Sequence, residues 1–200
     1  EELKDRLIHE ARFIRGYCYF KLVRWFGDIP LIDHPLDPSE YNQTRVDQSL
    51  VYDFIIQDLE AAIDRLPEKS NYNSSNLGRV TKGAARGLLA KVYLTLEDYG
   101  NAEKYAIEVI DSEEYELYPV YATIFREEGE NSSESLFEVQ AASYEEGGGS
   151  TQYNQVQGVR GSPNLGWGFN RPSDNLVTSY EPGDPRREAT ILYVGEILPD

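Results

Sequence analysis

The segment 144–171 brings aromatic rings and hydrogen-bonding side chains together in one short part of the chain. Its aromatic residues are Tyr144, Tyr153, Trp167 and Phe169, and its polar residues include Asn154, Asn170 and Arg171. Aromatic faces stack on flat apolar surfaces such as the C–H faces of sugar rings, while amide and guanidinium groups hydrogen-bond to hydroxyls nearby. This combination is typical of a binding surface. The alternative is that Trp167 and Phe169 tuck beneath the segment as a local core.

A second aromatic-rich stretch, YCYFKLVRWFGDIPL, occupies residues 17–31. Apolar residues in and before it recur every three or four positions, which predicts a helix over residues 3–26. One stripe consists of Leu7, Ala11, Ile14, Cys18, Leu22 and Trp25, and the other of Phe13, Tyr17 and Phe20. A helix that is apolar on two faces lies between neighbours, so we expect Cys18 and Trp25 to be buried. These aromatics are therefore assigned to helix packing.

Further helices follow in the first two thirds of the chain. One is predicted over residues 47–66, capped by Asp47 or Ser49, and another over 81–96, capped by Thr81. A short turn then leads to a fourth helix that starts near Ala102. The pair over residues 81–111 is an antiparallel hairpin of about one tetratricopeptide repeat in length. It matches that repeat pattern at Leu89, Ala90, Tyr93 and Ala102 and departs from it at Ala106 and Val109.

The helical spacing of apolar residues ends near residue 112. SLFEVQ, residues 135–140, alternates like a strand, with Phe137 and Val139 on one side. A long glycine-rich, irregular segment over residues 144–174 follows, and a short helix is predicted over 173–180. The predicted fold is therefore mostly α, with tetratricopeptide-like helical hairpins over residues 1–125 and a loop-rich, partly β C-terminal segment over 126–200 that carries the ligand.

The charge balance and the cysteine content narrow the classes of function. The net charge is −16 at pH 7, with 35 acidic against 19 basic residues. A phosphate backbone is repelled by such a field, so nucleic acid is not expected as a partner. A single cysteine leaves no disulfide framework and no thiolate metal site. No short acidic loop has the spacing of a calcium site, so we expect neither a metal nor another cofactor.

Five stretches, taken in order, resemble the SusD-like (RagB/SusD) family of outer-membrane lipoproteins from the glycan-uptake systems of Bacteroidetes. They are EARFIRGYCYFKLVRWFGDIPLI, YDFIIQDLEAAIDRLP, GRVTKGAARGLLAKVYLTLEDYGNAEKYAIEVIDS, SLFEVQ and PSDNLVTSYEPGDPRR. Together they cover almost all of the chain. Members of the family are considerably longer. The resemblance therefore implies a central segment that lacks the N-terminal lipid-anchor cysteine and a C-terminal part.

The resemblance implies binding rather than catalysis. Family members capture oligosaccharides or polysaccharides at the cell surface and cap a SusC-type TonB-dependent transporter of the outer membrane. They contact the membrane through the lipid anchor alone. Part of the sugar site is expected upstream of Glu1 and part in the irregular region, here about residues 140–170. The candidate glycan-binding residues are Trp167, Tyr153, Tyr144, Asn154, Asn170 and Arg171.

Two other classes of function remain open. A tetratricopeptide-like scaffold that binds a protein or peptide would carry its ligand on the concave helical face, so a buried Gly83, Gly87 and Ala90 face would count against it. A glycoside hydrolase would need two carboxyl groups about 5–10 Å apart across an aromatic cleft. The two histidines, His9 and His34, lie in unrelated contexts and suggest no nucleophilic site.

Overall fold

The computed structural model describes residues 2–140, 153–161 and 166–195 of the 200-residue chain. Its contacts divide the chain into two compact units. The first, the helical unit, comprises Glu1–Leu117 and Ser133–Glu138, and the second comprises Tyr118–Ser132 and Val139–Asp200.

The helical unit contains the predicted helices in the predicted order. They are α1 (Glu2–Phe26), α2 (Gln48–Arg65), α3 (Lys82–Thr95) and α4 (Tyr99–Ile110). Each helix packs against the next one along the chain, so the unit is a series of helical hairpins. The mostly helical, tetratricopeptide-like architecture expected from the sequence is confirmed.

The helix boundaries follow from local capping. The Asp47 carboxylate accepts a hydrogen bond from the Ser49 N–H at 2.8 Å and so begins α2. The Thr81 hydroxyl accepts from the Ala84 N–H at 3.0 Å and begins α3. Both contacts satisfy donors that the first helical turn leaves without a partner in the helix. The caps predicted at Asp47 and Thr81 are therefore confirmed.

The core of the helical unit is built on the Phe13 and Phe20 side of α1. Phe13, Phe20 and Val23 are buried and pack with Ile55 and Leu59 of α2. Their large side chains fill the space between the two helices, and burying such side chains supplies most of the stability of a hairpin. The second stripe of the sequence analysis is thus the one that faces the core.

The first stripe of α1 lies on the other side of that helix, and its predicted burial is wrong. Trp25 is 72% exposed, and Cys18 is exposed as well. Leu7, Ile14 and Leu22 are also at least 40% exposed. The physical reason is that α2 covers one face of α1, and no other described helix of the helical unit covers the face that carries Cys18 and Trp25. Periodicity identified both stripes but could not say which one would find a neighbour.

The chain after α4 folds back onto the small residues of α3. Tyr115 lies directly against Gly83, where an added Cβ would overlap its ring, and its hydroxyl is 2.7 Å from the Thr81 hydroxyl. Leu136 lies against Gly87, with its Cδ1 only 2.9 Å from the position of an added Cβ. The small residues of α3 therefore allow the chain's own later segment to approach closely.

The strand predicted over residues 135–140 is not formed, and no strand occurs in the described part of the chain. Phe137 packs edge-on against Phe13 and Tyr17 of α1, at ring-centroid distances of 5.0 and 5.8 Å. Val139 is 73% exposed, so the two residues expected on one side have different surroundings. The alternation in SLFEVQ marks an extended segment that anchors Phe137 in the helical core rather than a paired strand.

The second unit contains short elements only in the part that the structure describes. They are a 3₁₀ turn at Tyr121–Thr123, another at Glu127–Gly129, α5 (Tyr153–Gln157), α6 (Asp174–Ser179) and α7 (Pro185–Thr190). The Ser173 hydroxyl caps α6 by accepting from the Leu176 N–H, which confirms the short helix predicted there. None of the described helices of either unit has both the length and the apolar character needed to cross a membrane.

Candidate functional site

The segment that carries Trp167 is held by backbone hydrogen bonds to the residues at and just after α5. The Trp167 N–H donates to the Gln155 carbonyl at 2.8 Å, and the Phe169 N–H donates to the Val156 carbonyl at 3.0 Å. Between them, the Gly168 N–H donates to the Gly158 carbonyl at 2.9 Å. Three consecutive bonds of this kind fix the path of the backbone, so the side chains of Trp167 and Phe169 leave it from defined positions.

The glycines on both sides of Trp167 make this path possible. Gly166 is buried with its Cα facing the backbone of Gly158, and a side chain there would overlap main-chain atoms that cannot move aside. Gly168 has a φ of 70°, in the left-handed region that glycine adopts without strain. The two glycines of GWGF are thus required, Gly166 by the close approach to Gly158 and Gly168 by its backbone conformation.

Trp167 and Phe169 form a two-ring surface rather than a local core. Their ring centroids are 6.4 Å apart at an interplanar angle of 83°, an edge-to-face arrangement. Trp167 is 39% exposed and Phe169 is 55% exposed. An exposed pair of perpendicular rings offers a flat face bordered by an edge, which suits a ligand with apolar C–H faces.

Two polar residues follow Phe169 directly in the chain. Asn170 and Arg171 are exposed, and Asn170 has a φ of 57°, which asparagine tolerates better than most residues. The Arg160 side chain donates from Nε to the Trp167 carbonyl at 3.1 Å. Arg160 was missed by the sequence analysis, because its link to Trp167 is a tertiary contact with no local sequence signal. We call Trp167, Phe169, Asn170 and Arg171 the Trp167 surface.

Half of the residues predicted for the site lie in this surface. Trp167, Asn170 and Arg171 are brought together by their adjacency in the chain and by the fixed backbone. Tyr144 lies outside the described residues. The backbones of Tyr153 and Asn154 begin α5, while their side chains lie outside the described part of the structure. Phe169, which was not among the candidate binding residues, is exposed beside Trp167.

The chemistry available at the Trp167 surface is stacking and hydrogen bonding. Two aromatic rings supply apolar contact area, an amide can donate and accept, and the guanidinium of Arg171 can donate. No group of three or more His, Cys, Asp or Glu residues that could hold a metal ion occurs among the residues that the structure describes. The aromatic, amide and guanidinium groups of the Trp167 surface are of the types that contact a hydroxylated ring.

Residues 1–94 match a protein-family model for SusD-like proteins, described as starch-binding and associating with the outer membrane. A SusD-like protein from Bacteroides ovatus is 32% identical over 158 residues, which are 70% of this chain and 27% of that protein. Three such relatives extend well beyond this chain, which spans 27% to 38% of their lengths.

Solved structures share the fold at a similar level of identity. A laminarin-binding SusD-like protein superposes with a TM-score of 0.86 at 32% identity, over 96% of this chain and 46% of that one. A crystal structure with a xylogluco-oligosaccharide superposes with a TM-score of 0.60 at 32% identity, over 68% of this chain and 29% of the other. Sequence and fold therefore agree, and the chain belongs to the SusD-like family.

Proposed function

We propose that this chain binds oligosaccharide or polysaccharide through the Trp167 surface, without catalysing a reaction on it. The observation that carries the proposal is the exposed edge-to-face pair of Trp167 and Phe169, fixed by backbone bonds and followed directly by Asn170 and Arg171. Sugar rings present apolar C–H faces and a border of hydroxyls, which are the two features that this surface complements. The laminarin-binding relative and the structure with a xylogluco-oligosaccharide make glucans the first ligands to test.

The proposed setting is the cell surface, with delivery of the glycan to a SusC-type TonB-dependent transporter. The family description of association with the outer membrane supports this setting. The proposed contact with the membrane is a lipid anchor. Affinity purification of the full-length protein from detergent-solubilised outer membranes tests the partnership. A TonB-dependent transporter in stoichiometric amount is the expected result, and its absence after mild cross-linking would reject the partnership.

The alternative, a tetratricopeptide-like scaffold for a peptide, is disfavoured by the packing of α3. Its small-residue face would have to be open to receive a ligand. Instead, Tyr115 lies on Gly83 and Leu136 lies on Gly87, so the chain's own side chains occupy that face. A peptide ligand would first have to displace Tyr115, whose hydroxyl also contacts Thr81.

The glycan-binding proposal is tested by affinity electrophoresis of the 200-residue chain in gels that contain laminarin or xyloglucan. Retardation is expected for the wild type, and Trp167→Ala should weaken the apparent affinity by about tenfold or more, since it removes the larger stacking ring. Trp25→Ala is the matched control, because Trp25 is an exposed tryptophan on α1 of the helical unit. Equal mobility of the wild type and Trp167→Ala in every gel would reject the assignment.

A further inference from the structure

The second unit contains a cavity of about 370 Å³ that the glycan-binding proposal does not use. It is lined by Tyr121 of the 3₁₀ turn, by the end of α6 and by the start of α7, and we call it the Tyr121 cavity. Its lining residues are Tyr121, Leu176, Ser179, Tyr180, Glu181, Asp184 and Arg186. Its volume lies at the lower end of the ~300–1,000 Å³ typical of small-molecule sites. No residue of the Trp167 surface lines it.

A fixed arginine forms one wall of the Tyr121 cavity. The Asp184 side chain is only 8% exposed and accepts hydrogen bonds from Arg186 Nε at 2.9 Å, from Nη2 at 2.6 Å and from the Arg186 backbone N–H at 2.9 Å. These bonds hold the pKa of Asp184 below its usual value, so the carboxylate stays charged. The Arg186 side chain itself is 61% exposed. Asp184 therefore holds a planar donor in place before any ligand arrives.

Two tyrosines also line the cavity. Tyr121 and Tyr180 both lie in its wall together with Arg186. The ring of Tyr121 is 36% exposed and is supported edge-on by Phe125, at a centroid distance of 6.1 Å. The cavity thus combines aromatic faces with a fixed donor and with the exposed carboxylate of Glu181 as an acceptor. This is again the set of groups that a sugar ring requires.

The charges in the cavity define the class of sugar. Asp184 neutralises the charge of Arg186, and Glu181 adds a negative charge. The net charge of −16 on the whole chain also disfavours anionic ligands. Uronic acids and sulfated sugars would meet an excess of negative charge here, whereas a neutral sugar would meet donors and acceptors at no electrostatic cost.

We propose that the Tyr121 cavity is a second saccharide-binding site, which takes one neutral sugar unit of the glycan. The proposal rests on the proposed glycan-binding function and assigns to it a further contact and a ligand class. A glycan bound at both places would dissociate more slowly than one bound at the Trp167 surface alone, provided that one chain can reach both.

The test is isothermal titration calorimetry, in which the 200-residue chain is titrated with a laminarin-derived oligosaccharide, a xylogluco-oligosaccharide or an oligogalacturonate. The wild type should bind the two neutral probes and not the anionic one. Tyr121→Ala should weaken neutral binding by about fivefold, while Tyr121→Phe, which keeps the ring, should retain most of the affinity. Tyr99→Ala is the matched control, because Tyr99 is an exposed tyrosine of α4 in the helical unit.

Two further variants keep the test decisive. Leu176→Trp would place a larger side chain at an exposed position that lines the cavity, and it should weaken binding even if Tyr121→Ala does not fold. Combining Tyr121→Ala with Trp167→Ala should weaken binding more than Trp167→Ala alone. If Trp167→Ala weakens binding but the cavity variants do not, the second site is wrong and the proposed function stands. If the wild type binds neither neutral probe, both proposals are wrong.

Discussion

Gly166 and Gly158 approach each other through their backbones, and this contact sets the position of Trp167. Trp167, Asn170 and Arg171 were predictable from residue chemistry, because an aromatic ring beside amide and guanidinium groups suits a sugar. The way in which the backbone fixes these residues was not predictable. The bonds from Trp167 and Phe169 to carbonyls of residues 155–156 link parts of the chain ten or more residues apart, and no local pattern encodes them.

Gly166→Ala should therefore weaken glycan retardation almost as strongly as Trp167→Ala does. The added Cβ would overlap the Gly158 backbone, which is not free to move as a side chain is, so the Trp167 segment would separate from α5. Affinity electrophoresis on laminarin gels measures the effect, and circular dichroism checks that the helical unit is intact. Gly161→Ala is the control, since an added Cβ there meets no atom within 4 Å. If Gly166→Ala binds like the wild type, the backbone contact does not position the site.

The bounds of α1, α2 and α3 were predicted to within one residue, because capping residues and prolines act locally. Helix α4 begins at Tyr99, within the turn predicted before Ala102, because the Asp98 carboxylate accepts from the Asn101 N–H and caps the helix there. Which face of α1 packs was not predictable from the local sequence. Phe13 and Phe20 are buried while Cys18 and Trp25 are exposed, although both sets have helical spacing. Which stripe becomes core depends on where α2 lies, and that is a property of the tertiary fold. The surroundings of residues 135–140 also depend on the tertiary fold. Phe137 packs against Phe13 of α1, and the segment does not form a paired strand.

The contact between Tyr115 and α3 predicts a large effect of Gly83→Ala. Alanine normally stabilises a helix interior relative to glycine by about 1 kcal/mol. Here the Cβ would overlap the Tyr115 ring, so Tyr115 would have to leave both its packing site and its contact with Thr81. We expect a net loss of about 1–3 kcal/mol in the free energy of unfolding, measured by urea denaturation.

Gly100→Ala is the control for that experiment. Gly100 is also helical, in α4, and an added Cβ would meet only the Asp98 carboxylate at an ordinary distance of 3.8 Å. This variant should be neutral or slightly more stable than the wild type. Equal stability changes in the two variants would mean that Tyr115 does not pack on Gly83 as described.

The helix caps predict a loss of stability in acid. Hydrogen bonds from the side chain and backbone of Ser49 lower the pKa of Asp47, and those from Asn101 lower the pKa of Asp98. A carboxylate whose pKa is lower in the folded state stabilises the fold above its unfolded pKa and loses this effect as the pH falls through the folded value. The free energy of unfolding should therefore decrease below about pH 4.

The double variant Asp47→Asn/Asp98→Asn isolates this contribution. Asparagine also caps helices but does not titrate, so the variant should lose stability less steeply in acid than the wild type. Asp53→Asn, at an exposed position in the interior of α2, should leave the slope almost unchanged. Identical slopes for the double variant and the wild type would show that the two caps do not titrate as described.

The charge of the whole molecule bears on the class of ligand. With a net charge of −16, the chain repels polyanions. A neutral glycan needs no charged partner at either the Trp167 surface or the Tyr121 cavity. Binding by stacking and neutral hydrogen bonds is screened little by salt. The dissociation constant for laminarin oligosaccharides should thus change by less than about twofold between about 0.05 and 0.5 M NaCl. A loss of affinity by an order of magnitude would point to ionic recognition instead.

We expect the ligand to contact Trp167, and the chain's two tryptophans allow this contact to be tested. Trp25→Phe leaves Trp167 as the single tryptophan, and Trp167→Phe leaves Trp25, which is 72% exposed on α1. Fluorescence is recorded while laminarin oligosaccharide is added to each variant. We expect a saturable blue shift in Trp25→Phe, because the sugar removes water from the Trp167 ring, and none in Trp167→Phe. A saturable shift that appears only in Trp167→Phe would place the ligand at α1 and not at the Trp167 surface.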